Sequence, residues 1–137
     1  MAEVSVIQSD SLPLKSGEDV VRLRQLTRER AIAVGFSLVD QTKIVTAASE
    51  LARNTVIYGG GGSLQLEMLN DAARRGLRLT FEDHGPGIPD VQMALRDGFT
   101  TGSGLGLGLG GAKRLMNEFT ISSEPGRGTR ITAVRWK

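Results

Sequence analysis

Glu50 and Asn54 are a carboxylate and a carboxamide four residues apart. At 3.6 residues per turn, positions i and i+4 share one helix face, so the two side chains would project together. A neutral carboxamide can complete a Mg²⁺ shell otherwise filled by phosphate and water oxygens, and the carboxylate is then left to accept a proton from an attacking hydroxyl. Ordinary surface helices carry the same spacing as a salt-bridging Glu and a capping Asn, so the pair by itself is common. In Asp83-His84-Gly85-Pro86-Gly87, Gly85 and Gly87 permit close backbone approach, and Asp83 offers an acceptor suited to an exocyclic amine such as that of adenine. The alternative there is a tight turn with a solvated Asp. From Gly102 to Gly110, glycine alternates with other residues ahead of a helical pattern. Gly102, Gly104, Gly106 and Gly108 would bring backbone N–H groups and a helix N-terminus to an anion, or form a flexible loop.

The elements that must position these residues follow from periodicity. Residues 4–8 and 11–14 form two short strands or one irregular extended segment, with Pro13 favouring a sheet edge. Ser16-Gly17-Glu18-Asp19 resembles a capping box, after which Val20, Leu23, Thr27, Ala31 and Val34 recur at helical spacing until Gly35. Asp40 is the expected cap of a second helix with an apolar stripe at Ile44, Ala48, Leu51 and Thr55, ended by the glycines at 59–62. Glu50 and Asn54 fall in its last two turns. Two antiparallel strands are expected around Leu64, Leu66 and Met68 and around Leu77, Leu79 and Phe81, joined by a turn over 71–76. Period two then sets Asp83 on the same face as Leu77, Leu79 and Phe81, at the rim of an apolar surface. A short helix over 89–96, a loop over 97–104, a helix over 105–117 and strands over 119–123 and 129–136 complete the chain. Together these predict an α+β fold, a two-layer sandwich whose mixed, mainly antiparallel sheet is covered by helices on one face.

Composition narrows the chemistry. The 137 residues make a single domain, 1–137, with ordinary apolar (39%) and charged (23%) fractions. Cysteine is absent, which removes disulfides and thiolate catalysis, and the lone His84 cannot build a histidine metal site. A net charge of +2 with scattered arginines, one Trp and one Tyr argues against nucleic acid. No apolar run is long enough to span a bilayer and no secretion signal is evident, so the expected location is the cytoplasm, with no membrane partner. Other phosphate sites fit badly. No G-x-x-x-x-G-K-[ST] loop is present, and the match of 106–111 to G-x-G-x-x-G has no strand leading into it. The V-A-I-K, H-R-D and D-F-G set of eukaryotic-type kinases is missing as well.

Taken in order from residue 50 to residue 110, the three stretches resemble the GHKL superfamily of ATP-binding domains over nearly the whole chain. Glu50 and Asn54 match its asparagine box, Asp83, Gly85 and Gly87 its first glycine box, and Gly102, Gly104, Gly106 and Gly108 its second. Thr129, after Gly128, matches the late threonine that supports the adenine aspartate. The resemblance implies a Bergerat-type fold, ATP and Mg²⁺ as cofactors, Glu50 as catalytic base and Asn54 as the metal ligand. The wording of 49–54, 83–90, 97–101 and 113–116 is similar to the stand-alone serine kinases of bacterial partner switching, most of all the RsbT-like switch kinases of the stressosome. That branch implies phosphorylation of STAS-domain antagonist and scaffold proteins, followed by activation of a PP2C-type phosphatase regulator. An anti-sigma factor kinase, a binding regulator without catalysis and a simple ATPase are the other readings. One departure is the absence of Arg or Lys between Gly98 and Gly111, where several anti-sigma kinases place a basic residue.

Overall fold

The computed structural model describes residues 4–88, 90–95 and 108–137. Five strands form one sheet in the order β1-β2-β3-β5-β4, made of β1 (Ser5–Leu14), β2 (Gly62–Asp71), β3 (Arg74–Asp83), β4 (Glu118–Glu124) and β5 (Gly128–Trp136). All four pairings are antiparallel, so the mainly antiparallel sheet expected from the sequence has no parallel neighbour among the described residues. Helices α1 (Gly17–Val34), α2 (Leu38–Ile57), α3 (Val91–Ala94) and α4 (Leu109–Leu115) supply the second layer.

Alternation decides which face the helices cover. Leu64, Leu66 and Met68 of β2 stand opposite Phe81, Leu79 and Leu77 of β3, and Ala133 and Ile131 of β5 continue the same face. They bury against Leu23 and Ala31 of α1, Ile44, Ala48 and Leu51 of α2, and Leu109 and Ala112 of α4. The other face carries Gln65, Glu67, Arg78, Thr80 and Thr132, and across it the Arg78 Nε donates to Glu67 Oε1 at 2.8 Å. One apolar face and one polar face are what an antiparallel sheet needs to carry a single helical layer.

The first helix begins after Ser16 and ends at Gly35 as the periodicity indicates, although Asp19 accepts the Lys15 N–H and Ser16 makes no side-chain cap. The second helix starts earlier than expected. Ser37 is its cap, accepting the Asp40 N–H at 3.2 Å, and Asp40 instead receives Arg135 Nη2 at 3.1 Å. The turn expected over 71–76 is also shorter, since β2 runs to Asp71 and β3 resumes at Arg74. Gly76 lies inside β3, where a Cβ would meet Trp136 of the adjoining strand at 2.7 Å. The fourth helix runs from Leu109 with Gly108, at a left-handed φ of 65°, as its cap, and residues 105–107 of the helix expected over 105–117 lie outside the described residues. The loop expected over 97–104 lies outside the described residues.

The strand β1 is one continuous edge strand with a register shift between Val6 and Gln8. A forked ion pair fastens it to α1: Arg30 Nε donates to Asp10 Oδ2 at 2.8 Å and Nη2 to Oδ1 at 3.2 Å. These hydrogen bonds hold Asp10 below its ordinary value of 3.8 against the opposing effect of partial burial. A carboxylate with a depressed folded-state pKa contributes stability above its unfolded pKa and loses it as pH falls through the folded one. Asp10→Asn should therefore flatten the drop in thermal midpoint between about pH 5 and about pH 3 relative to the native protein. Asp19, also lowered, chiefly by the Lys15 N–H, keeps its own share of that drop in the variant. Parallel melting curves with identical pH slopes would show that the pair contributes nothing.

Candidate active site

The C-terminal half of α2 forms one wall of a cavity. Asn54, Thr55, Tyr58 and Gly59 line it from that side, and Asp83, Gly87, Ile88, Leu109, Thr129 and Ile131 complete it. Thr55 and Ile131 belong to the packed interior, so the cavity borders the core. Its polar groups are few and arrive from three separate elements.

Asp83 closes β3 opposite Thr129 of β5, on the face of Leu79 and Phe81, as period two requires. Its carboxylate is fixed on one side only. Oδ1 accepts the Gly85 N–H at 3.0 Å and the Thr129 N–H at 3.2 Å, and Oδ2 has no hydrogen-bond partner among the described residues. A carboxylate held by backbone donors through one oxygen presents the other as a directed acceptor at the apolar rim. Such an acceptor, flanked by Ile88 and Ile131, suits the amino group of a flat heterocycle. Gly85 thus supports Asp83 through its N–H, while Gly87 faces the cavity itself.

Glu50 stands one helical turn before Asn54, a rise of about 6 Å along α2. It is half-buried and outside the cavity lining, with Oε1 accepting Arg53 Nη1 at 3.0 Å. Across from it lies the start of α4. A Cβ on Gly108 would sit 2.6 Å from Glu50 Oε2, so the glycine with φ of 65° lets the backbone rest directly against the carboxylate. Gly108, the first described residue of the glycine-rich stretch, is therefore in touch with Glu50.

Of the residues singled out in the sequence, Asn54, Asp83, Gly87 and Thr129 share one cavity, and Gly85, Glu50 and Gly108 adjoin it. Gly102, Gly104 and Gly106 lie outside the described residues. His84 is exposed. Sequence reasoning passed over Tyr58, Ile88, Leu109 and Ile131. Tyr58 was findable, because the spacing of Glu50 and Asn54 continues to i+8 and it is the sole tyrosine. Among the described residues no three His, Cys, Asp or Glu side chains cluster as metal ligands. A cation beside Asn54 would have to draw most of its ligands from phosphate and water, which is the habit of Mg²⁺. No helix of the described residues is long and apolar enough to cross a membrane.

Comparison with known proteins bears on the same residues. The family model described as histidine kinase-, DNA gyrase B- and HSP90-like ATPase matches residues 39–137. The chain is 50% identical over 118 residues to the serine/threonine-protein kinase RsbT of Bacillus subtilis (strain 168), a match covering 86% of this chain and 89% of that protein. It is 35% identical over 100 residues to the anti-sigma F factor of Bacillus licheniformis, covering 67% and 66% of the two chains. Among solved structures, the catalytic domain of the histidine kinase ThkA superposes with a TM-score of 0.56 at 16% identity, over 92% of this chain and 95% of that one. At that identity the superposition shows the shared α+β fold alone.

Proposed function

The chain belongs to the family of histidine kinase-, DNA gyrase B- and HSP90-like ATPases, and from that we infer that it is an ATP-dependent serine/threonine protein kinase of a partner-switching system. The observation that carries the assignment to a nucleotide is Asp83, whose carboxylate is pinned through Oδ1 with Oδ2 left unpaired beside an apolar slot. The 50% identity to a serine/threonine-protein kinase over most of both chains supports the choice of a protein hydroxyl as acceptor.

In this reading Asp83 accepts from the adenine amine, with Tyr58, Ile88 and Ile131 bounding the slot. Thr129 braces the Asp83 carboxylate through its N–H. Asn54 would hold Mg²⁺ through its carboxamide oxygen, and Gly102, Gly104, Gly106 and Gly108 would supply backbone N–H groups to the phosphates. Bound Mg-ATP supplies a γ-phosphoryl group already polarised for in-line transfer. Glu50 takes the proton from the attacking Ser or Thr hydroxyl of the partner. Its contact with Gly108 sets the base beside the start of α4.

The acceptors we propose are STAS-domain antagonist and scaffold proteins, with a PP2C-type phosphatase regulator as the effector engaged once the kinase is released. The chain acts in the cytoplasm, where those partners and ATP occur together. The 35% identity to an anti-sigma F factor favours one second reading, a kinase that also sequesters a sigma factor. Capture of a sigma factor by the purified chain would select it.

Intact mass of each STAS-domain protein encoded near this chain, after incubation with Mg-ATP and the native protein, tests the proposal. A single phosphoryl increment is expected on one of them. Tight complex formation without any increment would reduce the chain to a binding regulator.

A further inference from the structure

Arg53 takes no part in the mechanism above, yet it holds the base of that mechanism. Each residue of a helix turns by about 100°, so Glu50 stands between Asn54, about 40° to one side, and Arg53, about 60° to the other. Arg53 Nη1 donates to Glu50 Oε1 at 3.0 Å, and Oε2 rests against Gly108. Both carboxylate oxygens are thus engaged. The ion pair is an exposed one, with 54% of the Arg53 side chain and 35% of the Glu50 side chain open to solvent. A pair of that kind, made at i,i+3 on a helix surface, contributes little and gives way readily to a stronger partner. We propose that Arg53 is a further catalytic residue, which leaves Glu50 for a γ-phosphoryl oxygen of bound ATP, bringing positive charge to the transferred group and freeing Glu50 Oε1 for the hydroxyl proton.

Reach and charge both favour the exchange. A base must lie within about 3 Å of the hydroxyl oxygen it deprotonates, and that oxygen within about 3.5 Å of the atom it attacks. With Arg53 Nη1 already 3.0 Å from Glu50, the γ-phosphoryl group falls within the sweep of its side chain. As the partner hydroxyl oxygen bonds to the γ-phosphorus, the bond from phosphorus to the bridging oxygen breaks. ADP departs with that electron pair, and the hydroxyl proton passes to Glu50. Negative charge is spread over the equatorial oxygens throughout, and the guanidinium fork can meet it with two N–H groups. The stretch between Gly98 and Gly111 contains no Arg or Lys to do so. On α4 the basic residues Lys113 and Arg114 stand in the last turn, at the far end from Gly108. Arg53 is the cation placed beside the base itself.

The inference rests on the kinase reading above, and its test separates the two. Affinities for Mg-ATP and Mg-ADP are measured by calorimetry on the native protein, Arg53→Ala, Arg53→Lys, Glu50→Gln and the Arg53→Ala/Glu50→Gln double variant. ADP lacks the γ-phosphoryl group, so only the affinity for ATP should respond. Arg53→Ala should lower the ATP-over-ADP ratio about tenfold, the scale of one charge-assisted hydrogen bond. Arg53→Lys, which keeps the charge, should retain most of the ratio. The same tenfold drop should appear when Arg53→Ala is added to Glu50→Gln, because the contact is made to phosphate and not through Glu50. An unchanged ratio in Arg53→Ala would overturn the proposal. A drop that vanishes in the Glu50→Gln background would overturn it as well, leaving Arg53 as a support for the Glu50 side chain. A native protein that binds neither nucleotide would instead bring down the nucleotide reading and this inference with it.

Discussion

Replacing Glu50 by Gln should abolish phosphoryl transfer, by about 10²–10⁴-fold in kcat, while the affinity for Mg-ATP stays close to native. Glutamine has the shape of glutamate and can still accept from Arg53, so α2 keeps the contact that the Glu50 carboxylate makes at 3.0 Å. It cannot take a proton at neutral pH. The two losses are thus separable, as an interaction made only in the transition state lowers kcat without touching binding. Glu50 lies outside the cavity lining, which is why binding should be spared. Single-turnover transfer to the unphosphorylated partner, read beside calorimetric binding of ATP, checks both halves. A variant that transfers at the native rate would remove Glu50 from the mechanism.

For Asp83→Asn the expected pattern is the opposite, with binding lost first. The asparagine carbonyl oxygen would take the place of Oδ1, because the Gly85 and Thr129 N–H groups require an acceptor there. Its NH₂ group then occupies the Oδ2 position and points a donor at the adenine amine. Losing a charged acceptor and gaining an opposed donor costs about 3–5 kcal/mol, or 10²-fold and more in affinity. GTP should suffer less, since its carbonyl would meet the new donor. Calorimetric titration of both nucleotides decides the matter, and unchanged ATP affinity would sink the adenine assignment.

What the sequence made legible was local in origin. The position of Asp83 followed from period two along β3, and the partnership of Glu50 and Asn54 from the pitch of one helix. The buried stripe Leu23, Thr27, Ala31 and Val34 likewise needed only helical spacing. The misreadings share a cause in residues far apart along the chain. Asp40 has the composition of a cap, yet Arg135 claims its carboxylate and Ser37 caps the helix in its place. Gly76 was taken for part of a turn, but it leaves room in mid-strand for the Trp136 ring. Tyr58, Ile88, Leu109 and Ile131 are apolar or aromatic residues of ordinary core type, and only the assembled fold brings them together as a wall.

The run of Glu50, Asn54 and Tyr58 along a single helix has a metrical consequence. At 1.5 Å per residue the helix sets Glu50 about 12 Å from Tyr58 along its axis, with Asn54 midway. On the proposed reading, a rigid rod graduated in this way would gauge the nucleotide beside it, heterocycle at one mark and terminal phosphoryl group at the other. A phosphate chain one unit shorter would end before the last mark. Inserting one residue between 50 and 58 would swing Glu50 by about 100° around the axis while leaving every side chain chemically intact. On the proposed reading, the interval between these residues would belong to the catalyst as much as the Glu50 carboxylate and the Asn54 carboxamide do.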